Sequence, residues 1–299
     1  LGNGRARTGK YARIAVVACA ICDDTGWKAI EVDGVSRVTR CDCTRESAAA
    51  RLLSEARIPR RYQHCSLPGY TAYNEKLTKA LRQATSLAEG FPVVDRGLLI
   101  LGPPGVGKTH LAVAILRQVI TTRGARGMFY DTRDLLRVIR STYDPLNQAV
   151  ETDVLRPVIE ADMLVLDDLG AEKTSEWVEE TLNHIVNARY SAQRTTVFTS
   201  NHEEKGDDTT DPDSLLFRIG YRMRSRLHEM CDEVHLDGAD YRQLPPNGGV
   251  DDLIMLSKLR SKPSRKAALP ARAGGQARAQ LRGRDGKADL KWSGGRAGS

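Results

Sequence analysis

The chain has 299 residues, 28% of them charged and 40% hydrophobic, and carries a formal net charge of +7. That length and apolar content suffice for a sizeable buried core, and with no apolar run of about 18 residues no membrane span is implied. The charge is unevenly spread: residues 258–299 hold twelve Lys or Arg against two Asp, a net +10, which leaves −3 for residues 1–257.

In chain order, the first device is a set of cysteines. Cys19-x-x-Cys22 is followed by Cys41-x-Cys43, four of the six cysteines in the chain. Two close pairs about 15–20 residues apart is the spacing by which two β-turns offer four thiolates to Zn²⁺. Asp23-Asp24-Thr25-Gly26-Trp27 supplies a turn, and Val32 to Val38 reads as a hairpin with Asp33-Gly34 at its tip. Four thiolates leave no position open for chemistry, so the zinc would be structural. Disulfides and simple packing of four small apolar side chains are the rival readings. Cys65 and Cys231 have no partner at useful spacing and read as packing residues. Residues 1–45 are thus expected to form a small zinc-ribbon-like module. Residues 46–90 follow as a helical linker, with helices over Ser47–Arg57 and Asn74–Ala88.

The run Gly97-Leu98-Leu99-Ile100-Leu101 reads as a buried strand, and Leu111 to Ile120 as a helix. Between them lies Gly102-Pro103-Pro104-Gly105-Val106-Gly107-Lys108-Thr109, a G-x-x-x-x-G-K-T phosphate loop. A strand, a glycine-rich turn and a helix N-terminus gather backbone N–H groups around a polyphosphate. Lys108 would reach the β- and γ-phosphates of ATP, and the Thr109 hydroxyl would ligate Mg²⁺.

Gly127–Asp131 reads as a second strand, with helices near Thr132–Ser141, Thr152–Ala161 and Ser175–Tyr190. Met163 to Leu166 is an apolar strand that ends in Asp167-Asp168-Leu169-Gly170. An acid there can hold the metal, and a second can orient water; we assign Asp167 to Mg²⁺ and Asp168 to the water. Asp is also a common turn former, and Glu is the usual residue at the second position, so Asp168 is one methylene short. The strand Thr195–Ser200 ends at Asn201, a candidate sensor of the γ-phosphate. Residues 203–214 form a polar, acidic loop before a helix over Ser214–Met230, whose Arg218, Arg222, Arg224 and Arg226 are a solvated face, a nucleic-acid patch or the source of an arginine finger. Alternating strands and helices imply an α/β fold, a parallel sheet covered on both faces, over residues 91–242.

This order of motifs resembles the AAA+ ATPases of the DnaC/DnaI helicase-loader and IstB transposition-helper group. Ile58-Pro59-Arg60-Arg61-Tyr62 and Cys65-Ser66-Leu67 are similar to the segment ahead of that group's core. Gly238-Ala239-Asp240-Tyr241-Arg242 is similar to its Gly-x-Ser-Tyr-Arg ending, with Asp240 in place of Ser. The resemblance implies a P-loop AAA+ sheet, a reduced or absent helical lid, and an arginine finger at Arg226, or else Arg222, given in trans within an oligomer. It further implies a helicase loader in DNA replication, with the replicative DNA helicase and single-stranded DNA as partners, or a transposition helper. A weakly hydrolysing ATP-gated adaptor is the third reading, kept open by Asp168. The cysteine module favours the loader, because the helpers typically lack it.

Residues 243–299 are expected to be a flexible basic tail, able to attract nucleic acid through counterion release or serving only solubility. An ATP-driven machine with no visible signal peptide belongs in the reducing cytoplasm, which also argues against disulfides.

Overall fold

The structure is a computed structural model and describes residues 19–23, 25–32, 34–143, 150–172, 175–203 and 211–261. Asp33 of the expected hairpin tip, residues 204–210 of the acidic loop and the tail from 262 onward lie outside these.

Five parallel strands form the central sheet: β3 (Gly97–Leu101), β4 (Gly127–Asp131), β5 (Met163–Asp167), β6 (Thr195–Ser200) and β7 (Cys231–His235). Their spatial order is β4-β5-β6-β3-β7. Every residue of β3 and β5 is buried, as in the central strands of a sheet covered on both faces. Alternate side chains feed two cores. Leu98, Ile100, Val165 and Val197 pack with helices α2 (Glu75–Gly90) and α3 (Lys108–Arg123). Leu99, Leu101, Leu166 and Phe198 pack with α4 (Thr132–Ser141), α5 (Glu151–Glu160), α6 (Glu176–Ser191) and α7 (Leu215–Met230). The α/β sheet expected from the sequence is present; most strand and helix ends fall within two residues of expectation, while α3 extends three residues further at each end.

Local chemistry sets those ends. Asn74 caps α2 by accepting the Leu77 N–H at 2.8 Å, Asp131 caps α4 and Ser175 caps α6. Gly220 takes φ 76°, ψ 163°, so the arginine-rich α7 is two helical pieces across a kink. Inside the second core, Arg189 is fully buried. It donates to the carbonyls of Val158, Ile159, Ala161 and Thr195 at 2.7–3.1 Å and to Thr196 Oγ1 at 2.9 Å. The guanidinium therefore satisfies the otherwise orphaned carbonyls at the end of α5.

Ahead of this body, β1 (Trp27–Val32) and β2 (Val35–Arg40) pair antiparallel, with Trp27 opposite Arg40, and run into α1 (Asp42–Glu55). Helix α1 begins five residues before the start expected at Ser47, with Cys41 at its N-cap position. A helix α8 (Val250–Ser261) stands in the segment expected to be flexible tail, anchored by Leu253, which is buried.

Candidate functional site

The phosphate loop joins β3 to α3 beside β6, where the connection leaving β3 through α3 and the one leaving β6 through α7 pass over opposite faces of the sheet, the usual ligand crevice of such folds. Gly105 and Gly107 have φ of 81° and 96°, a left-handed backbone that glycine adopts without cost. A Cβ on Gly102 would fall 2.2 Å from the Leu236 carbonyl oxygen. Pro104 lines the cleft, and Val106 is buried, its carbonyl accepting the Tyr70 hydroxyl at 3.3 Å.

Lys108 is folded into this loop. Its Nζ donates to the carbonyls of Gly102 at 2.8 Å and Pro103 at 2.9 Å, and to Asn201 Oδ1 at 2.6 Å. Burial pulls its pKa down to about 8, against the attraction of Asp167 and Asp168. Thr109 Oγ1 donates to both oxygens of Asp167, at 3.0 and 3.1 Å, and Thr199 Oγ1 donates to Asp167 Oδ1 at 2.6 Å. Burial pushes Asp167 up to about 6, with the charges of Asp168 and Asp131 adding to it and the hydroxyls of Thr199 and Thr109 opposing it. A buried acid beside a hydroxyl at the end of a phosphate-loop helix is an oxygen pair suited to Mg²⁺.

Asp168 lies just past β5 with φ 59°, a left-handed geometry that Asp tolerates better than most residues. One carboxylate oxygen accepts the Asn201 amide, and the other lies 3.7 Å from Arg133, which also pairs with Glu172 at 3.8 Å. Asn201 thus touches both Lys108 and Asp168. The cleft holds about 680 Å³, and Tyr62, His64, Tyr70, Thr71 and Arg242 form much of its remaining wall.

Arg222 and Arg226 do not line this cleft. They border a separate hollow with Glu176, Glu179, Glu180 and His184 of α6. Sequence reading missed Thr199, Arg133, Tyr70 and Arg242 as site residues. For Thr199 a signal existed: it is one of the last two residues of the strand that runs into Asn201, at the same strand end.

The cysteines converge as expected. The Sγ atoms of Cys19, Cys22, Cys41 and Cys43 all lie within 4.8 Å of one another. Cys19 and Cys41 are 3.8 Å apart, and Cys22 and Cys43 are 3.4 Å apart. Zn–S bonds of about 2.3 Å in a tetrahedron set sulfurs about 3.8 Å apart, whereas a disulfide needs about 2.05 Å, so the four thiols fit the metal. The first pair sits in a turn with the Cys22 and Asp23 N–H groups on the Cys19 carbonyl. The second pair is a helix start in place of the expected second β-turn: Cys41 stands at the N-cap position of α1, and Cys43 lies in its first turn. One intervening residue brings both thiols to the first turn of the helix.

A family model described as IstB-like ATP binding protein matches residues 48–245. The replicative helicase loader DnaC of Escherichia coli (strain K12) is 29% identical over 156 residues, 52% of this chain and 63% of that protein. The DnaC of Buchnera aphidicola subsp. Baizongia pistaciae is 30% identical over the same shares. The chain therefore spans less than two thirds of these curated relatives. A crystal structure of the DnaC helicase loader is similar at TM-score 0.54 and 32% identity, covering 60% of this chain and all of that one. DnaI is similar in fold, at TM-score 0.51 and 24% identity over 62% of this chain and 94% of that one.

Proposed function

The chain belongs to the IstB-like ATP binding protein family, and from that premise we propose that it is an ATP-dependent loader of the replicative DNA helicase, working on single-stranded DNA in the cytoplasm. The similarity to DnaC at 32% identity over the whole of that solved chain is the observation that carries this reading.

In the proposed cycle, Lys108 exchanges the carbonyls of Gly102 and Pro103 for phosphate oxygens of ATP. Thr109 and Asp167 would hold Mg²⁺, which would supply charge neutralisation to the phosphates. Asp168, oriented by Asn201, takes the proton of the attacking water. Arg226, or failing it Arg222, reaches the γ-phosphate of a neighbouring copy in an oligomer, which is consistent with both residues lying outside their own cleft. The cysteine module, which would hold Zn²⁺ for structure, grips the helicase, and the basic stretch of the tail, residues 258–299, attracts DNA. A transposition-helper role is the second reading, supported by the family model itself.

Steady-state ATPase measurements, with and without single-stranded DNA, test the hydrolytic part. Asp168→Asn is expected to lower kcat by about 100-fold or more, the range for a lost general base, with ATP affinity kept within a few fold. Equal turnover by wild type and Asp168→Asn would leave only the weakly hydrolysing adaptor.

A further inference from the structure

Asp240 stands where the resembling ending has Ser, and the fold presses it onto the phosphate loop. It caps a short 3₁₀ turn (Tyr241–Gln243), its Oδ1 accepting the Arg242 N–H at 2.9 Å. The next residue locks the turn to the loop through Tyr241 N–H to the Gly105 carbonyl at 3.0 Å. A Cβ on Gly105 would come within 1.8 Å of Asp240 Oδ1, so the carboxylate lies directly against that glycine. Among the described residues no Lys, Arg or His side chain forms an ion pair with Asp240. Asp167 and Asp168, by contrast, are held by the side chains of Thr109, Thr199, Asn201 and Arg133.

We infer that Asp240 is an affinity-setting residue: its uncompensated charge weakens the grip of the phosphate loop on nucleoside di- and triphosphates. The inference rests on the reading of Gly102–Thr109 as the nucleotide site. The loop binds phosphates because its N–H groups, Lys108 and Arg242 present positive charge to one place. The Asp240 carboxylate is packed on the middle glycine of that loop, and charges closer than the Debye length, about 8 Å at physiological salt, are little screened. Like charges at that separation oppose binding, and a site with weakened affinity exchanges its nucleotide faster. Ser caps the same turn without the charge.

Asp240→Asn is the discriminating variant, because Asn caps as well as Asp and keeps the shape while removing the charge. Calorimetric titration of the full-length protein with ATP and with ADP is the readout. The variant is expected to bind both about tenfold more tightly at low salt, with Asp240→Ser behaving alike. The gain is expected to shrink toward nothing near 1 M salt, where the Debye length is about 3 Å. Unchanged or weaker binding by a folded Asp240→Asn, or a gain that ignores salt, would overturn the inference while wild-type binding left the nucleotide site standing. Absence of binding in both proteins would overturn the nucleotide site and this inference with it.

Discussion

Lys108→Ala is expected to weaken ATP binding by about 100-fold, the equivalent of about 3 kcal/mol. Hydrogen bonds to a charged group contribute about 1.5–3 kcal/mol each, and Lys108 would form more than one with the phosphates. Its present partners show that it is already aimed: three acceptors hold Nζ at 2.6–2.9 Å between the loop and Asn201. The pH dependence follows from the lowered pKa, about 8 in the free protein. Bound phosphates favour the charged form and raise that pKa, so affinity is full below about 8 and falls as pH climbs above it. Fluorescent-nucleotide titration across pH checks both expectations. Binding by Lys108→Ala within about threefold of wild type would remove Lys108 from the site.

Metal removal is expected to have an effect as large, confined to the N-terminal module. The β1–β2 hairpin has almost no core of its own: Trp27, Val35 and Val38 are 53%, 55% and 69% exposed. An isolated two-stranded hairpin is marginal in water. Structural zinc contributes about 10–16 kcal/mol of apparent binding energy in small domains, so the four thiolates would provide what packing does not. One zinc per chain is expected by native mass spectrometry. Chelation, or Cys22→Ser, should abolish amide protection over residues 27–40 while leaving ATP binding intact. Protection that survives removal of the metal would show that the hairpin stands by other means.

Much of this site was legible in the sequence because its parts are local. Gly102–Thr109 is contiguous, and its flanks show the strand and helix that make the loop useful. Asp167 and Asp168 end an apolar run and Asn201 follows a β-branched one, so strand ends alone bring them to one edge of a parallel sheet. The cysteine spacing carried the cluster, although the helix start under Cys41 and Cys43 was not visible in the pattern.

What escaped was non-local. The buried Arg189 looks like any helical arginine, because its acceptors come from α5 and β6, up to 31 positions away. Arg133 reaches Asp168 only because β4 and β5 are neighbours in register. The break at Gly220 runs through a stretch whose arginine spacing reads as one helix. Helix α8 was hidden because its Val250 and Met255 are exposed and a single buried leucine anchors it.

The most direct test of the loader account is affinity purification of the tagged protein from its source cell with a non-hydrolysable ATP analogue present, the bound proteins being identified by mass. The account predicts recovery of a replicative helicase, and its loss when the Lys108→Ala protein is the bait. Recovery of a transposase, or of DNA with no helicase, would contradict it.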